Sequence, residues 1–363
     1  MRIFGFFIVL MLVPALSHGV QVDGLYKAIE PVATQSAAER KAAITRAISG
    51  VAHKVSGRRG VLNNAALQQT LSNVDAFVEQ FQYIQPKTKK EPLQVEITFQ
   101  KAAIDRALQQ FDIPVWGANR PAIAVWLAVD NGNKRYLIGE GATKTAALLQ
   151  AVAFQSGLPI VLPLLDLQDQ QAVQFNDVWG LFSERIVQAS QRYGAKQVLF
   201  GRLLKEQGGG WKLRWALVNA DGKFEGETRQ NFLSEAFRES LNSSSELLAD
   251  IYAPRGNEHV SEVTLMVEGI ANLGEFSRIS QYLSSLDVVR KVSWQRVNAG
   301  KASFVLDVAG DAQGLKEQIA LNNVLEETYR AEPVISIQRG GEQIVNQQVM
   351  PYVPRQILSF RVR

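Results

Sequence analysis

An α+β protein of three mixed sheet-and-helix units is the fold class the sequence predicts. Three observations lead there. The chain has 363 residues, too many for one ordinary domain. Segments with helical periodicity alternate with segments of period two along its whole length. Its composition, 46% hydrophobic and 20% charged, is that of a globular protein that can bury a core in each unit.

The first nineteen residues, "MRIFGFFIVLMLVPALSHG", are set apart from these units. Arg2 precedes an apolar run from Ile3 to Val13, then Pro14, then small Ser17 and Gly19. This is the order of a signal peptide, with cleavage expected after Gly19 and before Val20. The apolar run falls short of the ~20 residues that span a bilayer, and no later stretch is longer. The expected product is exported to the periplasm with no transmembrane segment. Cysteine is absent, which removes lipoprotein anchoring, disulfides, thiolate metal sites and cysteine nucleophiles.

The first unit is expected over residues 20–117. "VDGLYKAIEPV" reads as a strand. In "SAAERKAAITRAISGVAHKVSG", Ser36 and Glu39 form a capping box, Ile44, Ile48, Val51 and Val55 make one apolar stripe, and Gly57 stops the helix. A short helix at Ala65–Leu71, strands in "VEQFQYIQ" and "PLQVEITFQ", and a helix over Lys101–Phe111 complete a β-α-α-β-β-α order. "KTKKE" (Lys87–Glu91) reads as a solvated loop.

The middle unit, residues 121–253, reads β-α-β-α-β-β-β-α. "AIAVWLAVD" and "LPIVLPLL" are buried strands, separated by the helix "TKTAALLQAVAFQSG". "DVWGLFSERIVQASQRYG" is a second helix with Val178, Phe182, Ala189 and Tyr193 on one face. "KQVLFGRLL" follows. "GGGWKLRWALV" then alternates strictly, with Trp211, Leu213, Trp215 and Leu217 on one face and Lys212 and Arg214 on the other. "NADG" turns the chain back as "KFEGETRQN", and a helix over Phe232–Tyr252 packs on the sheet.

After the linker "APRGNEH", residues 259–330 read β-α-β-β-α, the ferredoxin-like split motif without an assigned last strand. Asn272 and Glu275 cap its first helix, which carries Leu273, Phe276, Ile279 and Leu283. Residues 331–363 alternate in part and are expected to form a tail or added edge strands.

Reactive chemistry is sparse. Of three histidines, His18 lies in the leader, His53 is placed on the polar side of its helix, and His259 lies in a linker; no metal-ligand spacing results. "GEGATKT" (Gly139–Thr145) has Thr143 where a phosphate loop needs glycine, so it reads as a helix start with Thr143 as N-cap. No catalytic residue, cofactor or metal is expected. A net charge of +4 without a long basic run, in an exported chain, argues against nucleic acid. Two places remain as weak partner or ligand contacts. Asp166 and Asp169 follow an inner strand, where open sheets bind ligands, and paired carboxylates there suit glycan hydrolysis. Trp116, Asn119 and Arg120 lie in "PVWGANRP", read as a junction between units in preference to an exposed binding site.

"LYKAIEPV", Glu39–Arg40, "VSGRRGVL" and "PVWGANRP…VWLA" resemble the signatures of a family of exported Gram-negative proteins catalogued as domain of unknown function 2066. The likeness runs from about Gly24 to near Leu325 and implies no activity and no site residues. "YGAKQVLFGRLLKEQGGGWKLRWALVNADG" resembles the strand–hairpin part of the α/β domains in TolB, the curli secretion lipoprotein and outer-membrane activators of peptidoglycan synthases. That likeness implies protein binding without catalysis. The functional expectation is therefore a periplasmic, non-enzymatic protein that binds another envelope protein. The alternative is a small-ligand or glycan binder, or less readily a hydrolase using Asp166 and Asp169.

Overall fold

A computed structural model of the chain describes residues 20–86, 92–141, 143–253, 260–298, 300–322, 324–328 and 356–363. The expected leader, the Lys87–Glu91 loop, His259 and most of 331–363 lie outside these residues. The described residues form an α+β protein with three main sheets and a two-strand pair.

The first unit runs β1 (Val20–Gln21), β2 (Lys27–Val32), α1 (Ala37–Ser56), α2 (Ala65–Leu71), β3 (Val78–Ile84), β4 (Leu93–Phe99) and α3 (Lys101–Gln109). Ser36 caps α1 by accepting the Glu39 amide, as its sequence suggests. The Glu39 carboxylate reaches Ala33 N and leaves the reciprocal half of the capping box unmade. Gly57 ends α1 at φ +69°, a backbone that glycine adopts without a steric cost. The antiparallel sheet β2-β4-β3 packs Val95, Ile97 and Phe99 against the stripe Ile44, Ile48, Val51 and Val55.

The middle unit contains β5 (Asn119–Arg120), β6 (Ile123–Asp130), β7 (Arg135–Leu137), α4 (Lys144–Ser156), β8 (Ile160–Val161), α5 (Leu167–Ala172), α6 (Phe175–Trp179), α7 (Ser183–Ser190), β9 (Gln197–Lys205), β10 (Trp211–Asn219), β11 (Gly222–Gln230) and α8 (Leu233–Tyr252). Its sheet has the order β11-β10-β9-β6-β7, with β8 also on β6. Strand β6 is parallel to β8 and β9, and the β9-β10-β11 meander is antiparallel. Both faces are covered, so β6 is apolar at nearly every position. Ile123, Val125, Leu127 and Val129 meet residues of α4 and α8, whereas Ala124's neighbours Trp126 and Ala128 join a second core with Val178 and Ile186. Trp215 lies across Gly226, where a Cβ would collide with the indole.

Two expectations in this unit need correction. "LPIVLPLL" pairs only at Ile160–Val161, at the margin of the sheet, because Pro159 and Pro163 bracket the pairing and donate no N–H. The helix expected over Asp177–Gly194 is broken. Leu181 adopts φ +60° after Gly180, and Phe182 is thrown out of the core to 60% exposure.

The third unit runs β12 (Val260–Glu268), α9 (Leu273–Ser285), β13 (Val289–Asn298), β14 (Lys301–Ala309), α10 (Ala312–Ala320), β15 (Leu325–Glu327) and β16 (Gln356–Val362). The β-α-β-β-α-β order of the split motif is completed by β15. The sheet order, however, is β13-β14-β12-β16-β15. β16 runs parallel to β12 and antiparallel to β15, so it occupies the slot between the motif's first and last strands. The expectation of a tail or edge strands is thereby corrected at residues 356–362. Phe360 is buried with Val267 and Leu325 in the same core, and that burial holds β16 inside the sheet.

Candidate functional site

The chain between the first two units forms the structural centre. Pro121 biases Arg120 toward extended backbone, and the short β5 pairs antiparallel with β1. This directs the Arg120 side chain inward, where it is fully buried. Its Nη2 donates to Lys54 O at 2.8 Å and Trp116 O at 2.6 Å. Nη1 donates to Gly157 O at 2.9 Å, and Nε to Gly117 O at 3.0 Å. Lys54 lies in the last turn of α1, and Gly157 is the C-cap of α4. One guanidinium thus meets the carbonyl ends of two helices from two units, where a cation is favoured. Burial pushes its pKa down to about 9, against smaller raising effects of Tyr26 and Asp287, so it stays charged near neutrality.

The third unit reaches the same segment. Asn119 Nδ2 donates to Gln318 Oε1 at 2.8 Å, and Asn322 Nδ2 donates to Asn119 Oδ1 at 3.1 Å. Asp287 sits so close to Gly117 that a Cβ there would overlap its carboxylate. As contacts for an external partner, Trp116 and Arg120 are corrected. Both have zero exposure, and the guanidinium's donors are taken by backbone carbonyls. Asn119 is half-buried and committed to α10.

His53 also departs from expectation. It is buried, 7% exposed, and desolvation lowers its pKa, with Glu246 opposing. The helix has a second covered face: past Val51, residues of α8 close over the side that an isolated α1 would show to water. Lys54 is 3% exposed. Its ammonium donates to Gly24 O at 2.7 Å and lies 3.9 Å from the Phe154 ring centroid. Arg59, at the same seam, binds Glu246 and Glu239 of α8 at 2.8 and 2.7 Å.

Asp166 and Asp169 are brought together, but by a cation. Arg192 Nη1 lies 2.8 Å from Asp166 Oδ1 and 2.9 Å from Asp169 Oδ1, and Nη2 binds the other Asp166 oxygen. Asp166 is also the N-cap of α5. The Arg192 hydrogen bonds, followed by the Asp169 backbone amide, hold its pKa at about 2. Asp169 is 1% exposed and further accepts from Leu165 N and Tyr193 Oη. A general acid needs a carboxyl pKa raised toward the working pH; Asp166 is shifted the opposite way. Both residues act as structural anchors for α5.

Sequence reasoning did not find one concave feature of the described residues. A groove of about 680 Å³ separates the first and third units. Tyr26, Lys101, Tyr282, Asp287 and Asn322 contribute to its wall. Tyr26 Oη donates to Asp105 Oδ1 at 2.6 Å, and Lys101 Nζ donates to Asp105 Oδ2 at 2.7 Å. Desolvation raises the Asp287 pKa, with Lys101 and the Asn119 amide opposing. These residues come from segments far apart in the chain, so no local motif announces them. Among the described residues, no group of three or more histidines or carboxylates is placed to hold a metal ion. No helix there is long and apolar enough to cross a membrane.

Comparison with known proteins adds little function. A family model described as a domain of unknown function (DUF8605) matches residues 19–117. The first unit is therefore similar to an uncharacterised domain, under a designation other than 2066, and the match does not extend to the middle unit. No curated protein matches. Two crystal structures of S. aureus homoserine dehydrogenase, at pH 7.5 and pH 6.5, align at 13% and 14% identity, each with a TM-score of 0.14. The alignments cover 48% of this chain in both cases, and 47% and 49% of those chains. At that TM-score they carry no argument about fold.

Proposed function

We propose that this chain is an exported periplasmic protein without catalytic activity that binds another protein of the cell envelope. The observation that carries the reading is the junction at residues 116–120. Arg120 ties the ends of α1 and α4 together, and Asn119 ties both to α10. Three units fixed by one buried segment present a continuous composite surface, which suits macromolecular contact. The engagement of Asp166 and Asp169 by Arg192 supports a structural role for the best-placed carboxylate pair. The leader composition, from Arg2 through the apolar Ile3–Val13 run to Gly19, supports export. The resemblances read in the sequence, to domain of unknown function 2066 and to TolB-type domains, point the same way by analogy, although the family match over residues 19–117 does not carry them.

Site-specific crosslinking in the periplasm tests the reading, with fractionation and N-terminal sequencing of the product. Recovery of one specific envelope protein, by a chain beginning near Val20, is the expected result. A chain retained in the cytosol, or one with no specific crosslink, overturns it.

The groove beside Tyr26, Lys101 and Asp287 favours a second reading, a binder of small polar ligands or glycan fragments. Incubation with peptidoglycan fragments separates the two. Binding that is lost in Lys101→Ala supports the ligand reading. Turnover that disappears in Asp166→Asn or Asp169→Asn supports a hydrolase.

A further inference from the structure

The third sheet ends, among the described residues, on β13, which pairs only with β14. This edge is unusual in what it exposes. Trp294 and Val297, whose cross-strand partners Phe304 and Ala302 are buried in the core, are themselves 64% and 49% exposed. Phe276 of α9 meets Trp294 edge-on at 6.4 Å between ring centroids. Leu273, one helical turn earlier on the same side of α9, is 81% exposed. A strand edge with no strand partner among the described residues therefore borders an apolar corner that the helices α9 and α10 leave open.

The strand's charge selects the occupant. Val289–Asn298 carries Arg290, Lys291 and Arg296 and no acidic residue. Lys291 and Arg296 point to the face opposite Trp294, as the register with Asp307 and Ser303 requires. A second copy pairing through β13 would set these cations near their own counterparts, which is unfavourable. An acidic strand meets complementary charge on one face and an apolar surface on the other.

We infer that the free edge of β13 receives an extended acidic segment of a partner polypeptide by strand addition, with an apolar partner side chain seated against Trp294 and Val297. The inference rests on the protein-binding reading and specifies where and by what chemistry binding occurs. The β-bulges between Val289 and Lys291 and between Trp294 and Arg296 divide the strand into two short regular runs, Lys291–Trp294 and Arg296–Asn298, so an added strand that spans Trp294 and Val297 follows the edge across the second bulge.

The probe is a fluorescent decapeptide of alternating glutamate and valine, titrated against the purified full chain. The same peptide with lysine replacing glutamate, and one N-methylated at alternate backbone positions, serve as comparisons. Binding of the acidic peptide is expected, weakening with salt and falling about tenfold in the Lys291→Glu/Arg296→Glu double variant. The lysine and N-methylated peptides are expected to bind far less. Trp294→Ala should weaken binding without lowering the thermal midpoint, and it carries the test if the double variant fails to fold. Absent binding of the acidic peptide, equal binding by the charge-reversed variant, or full binding of the N-methylated peptide each overturns the inference. Periplasmic crosslinking separates its failure from that of the parent reading. An envelope partner recovered equally by wild type and by Lys291→Glu/Arg296→Glu overturns the β13 assignment alone. Peptide binding without any envelope partner overturns the parent reading and supports β13 as a peptide-binding edge.

Discussion

The guanidinium carbon of Arg120 lies 4.1 Å from the ring centroid of Trp116, and neither side chain reaches solvent. The aromatic face stabilises the cation, while the donors in the guanidinium plane serve carbonyls of two helix ends. Planarity matters here, because one edge faces carbonyls while the flat face stacks. A lysine offers no such combination.

Replacing Arg120 should therefore be costly even by lysine. Arg120→Met leaves several buried carbonyls without a donor, and a loss of about 3 kcal/mol or more is expected. Urea unfolding checks the magnitude. Calorimetry should show one transition dividing as the first two units uncouple. A loss below about 0.5 kcal/mol, the scale of an ordinary surface change, would contradict the junction's structural role.

Gly57 and Gly50 make a paired test on one helix. At Gly57 a Cβ would lie 2.7 Å from a Trp116 ring carbon and 2.9 Å from the Ala249 Cβ, at a positive φ. Gly57→Ala should cost about 2–4 kcal/mol from left-handed strain and overpacking together. Gly50 is helical with nothing within 4 Å of an added Cβ, so Gly50→Ala should stabilise by about 0.5–1 kcal/mol. Chemical denaturation of both variants against wild type decides it.

Lys54 should make stability depend on pH in an uncommon direction. Burial lowers its pKa from 10.5 to about 7, with Arg120 adding a smaller repulsion. Between those values the unfolded chain binds more protons than the folded one, so stability rises with pH from about 7 toward 10. It is lost as pH falls through the folded value. The slope from one such group is at most about 1.4 kcal/mol per pH unit. Lys54→Met should flatten the rise in thermal midpoint over this interval.

Removing Arg192 should release Asp166. Its folded pKa is held at about 2, so the associated stability is present above the ordinary carboxylate range and disappears as pH falls toward 2. In Arg192→Ala the Asp166 carboxyl should titrate at higher pH, while the Asp169 backbone amide still holds it below the usual value, a change visible in its carbon-13 shift. The acid-unfolding midpoint should move to higher pH. An unchanged Asp166 titration would show that Arg192 does not control it.

Features governed by neighbours in sequence are legible in the amino-acid pattern itself. Gly57 stops α1, Thr143 caps α4 through Ala146 N, and the Trp211–Leu217 alternation becomes β10. Features set by contacts across units are not. His53 looks solvated on an isolated helix, because α8, which covers it, begins nearly two hundred residues later. The "PVWGANRP" junction was recognisable from its prolines, glycine and tryptophan. That Arg120 would bind the carbonyl end of α4 as well as α1 depended on packing that no local pattern encodes. The Asp166–Asp169 pair was visible, and the Arg192 that occupies it was not, since the expected continuous helix misplaced the surrounding turns.

The position of β16 has a consequence for how the protein is made. β12 emerges from the ribosome about 90 residues before the strand that flanks it. Until residues 356–362 are synthesised, β12 and β15 cannot take their final places, and the third unit must wait with an open seam. A nascent chain that stalls or is clipped before Phe360 therefore exposes the gap to chaperones and proteases, and translation through residue 362 becomes a condition for escaping them.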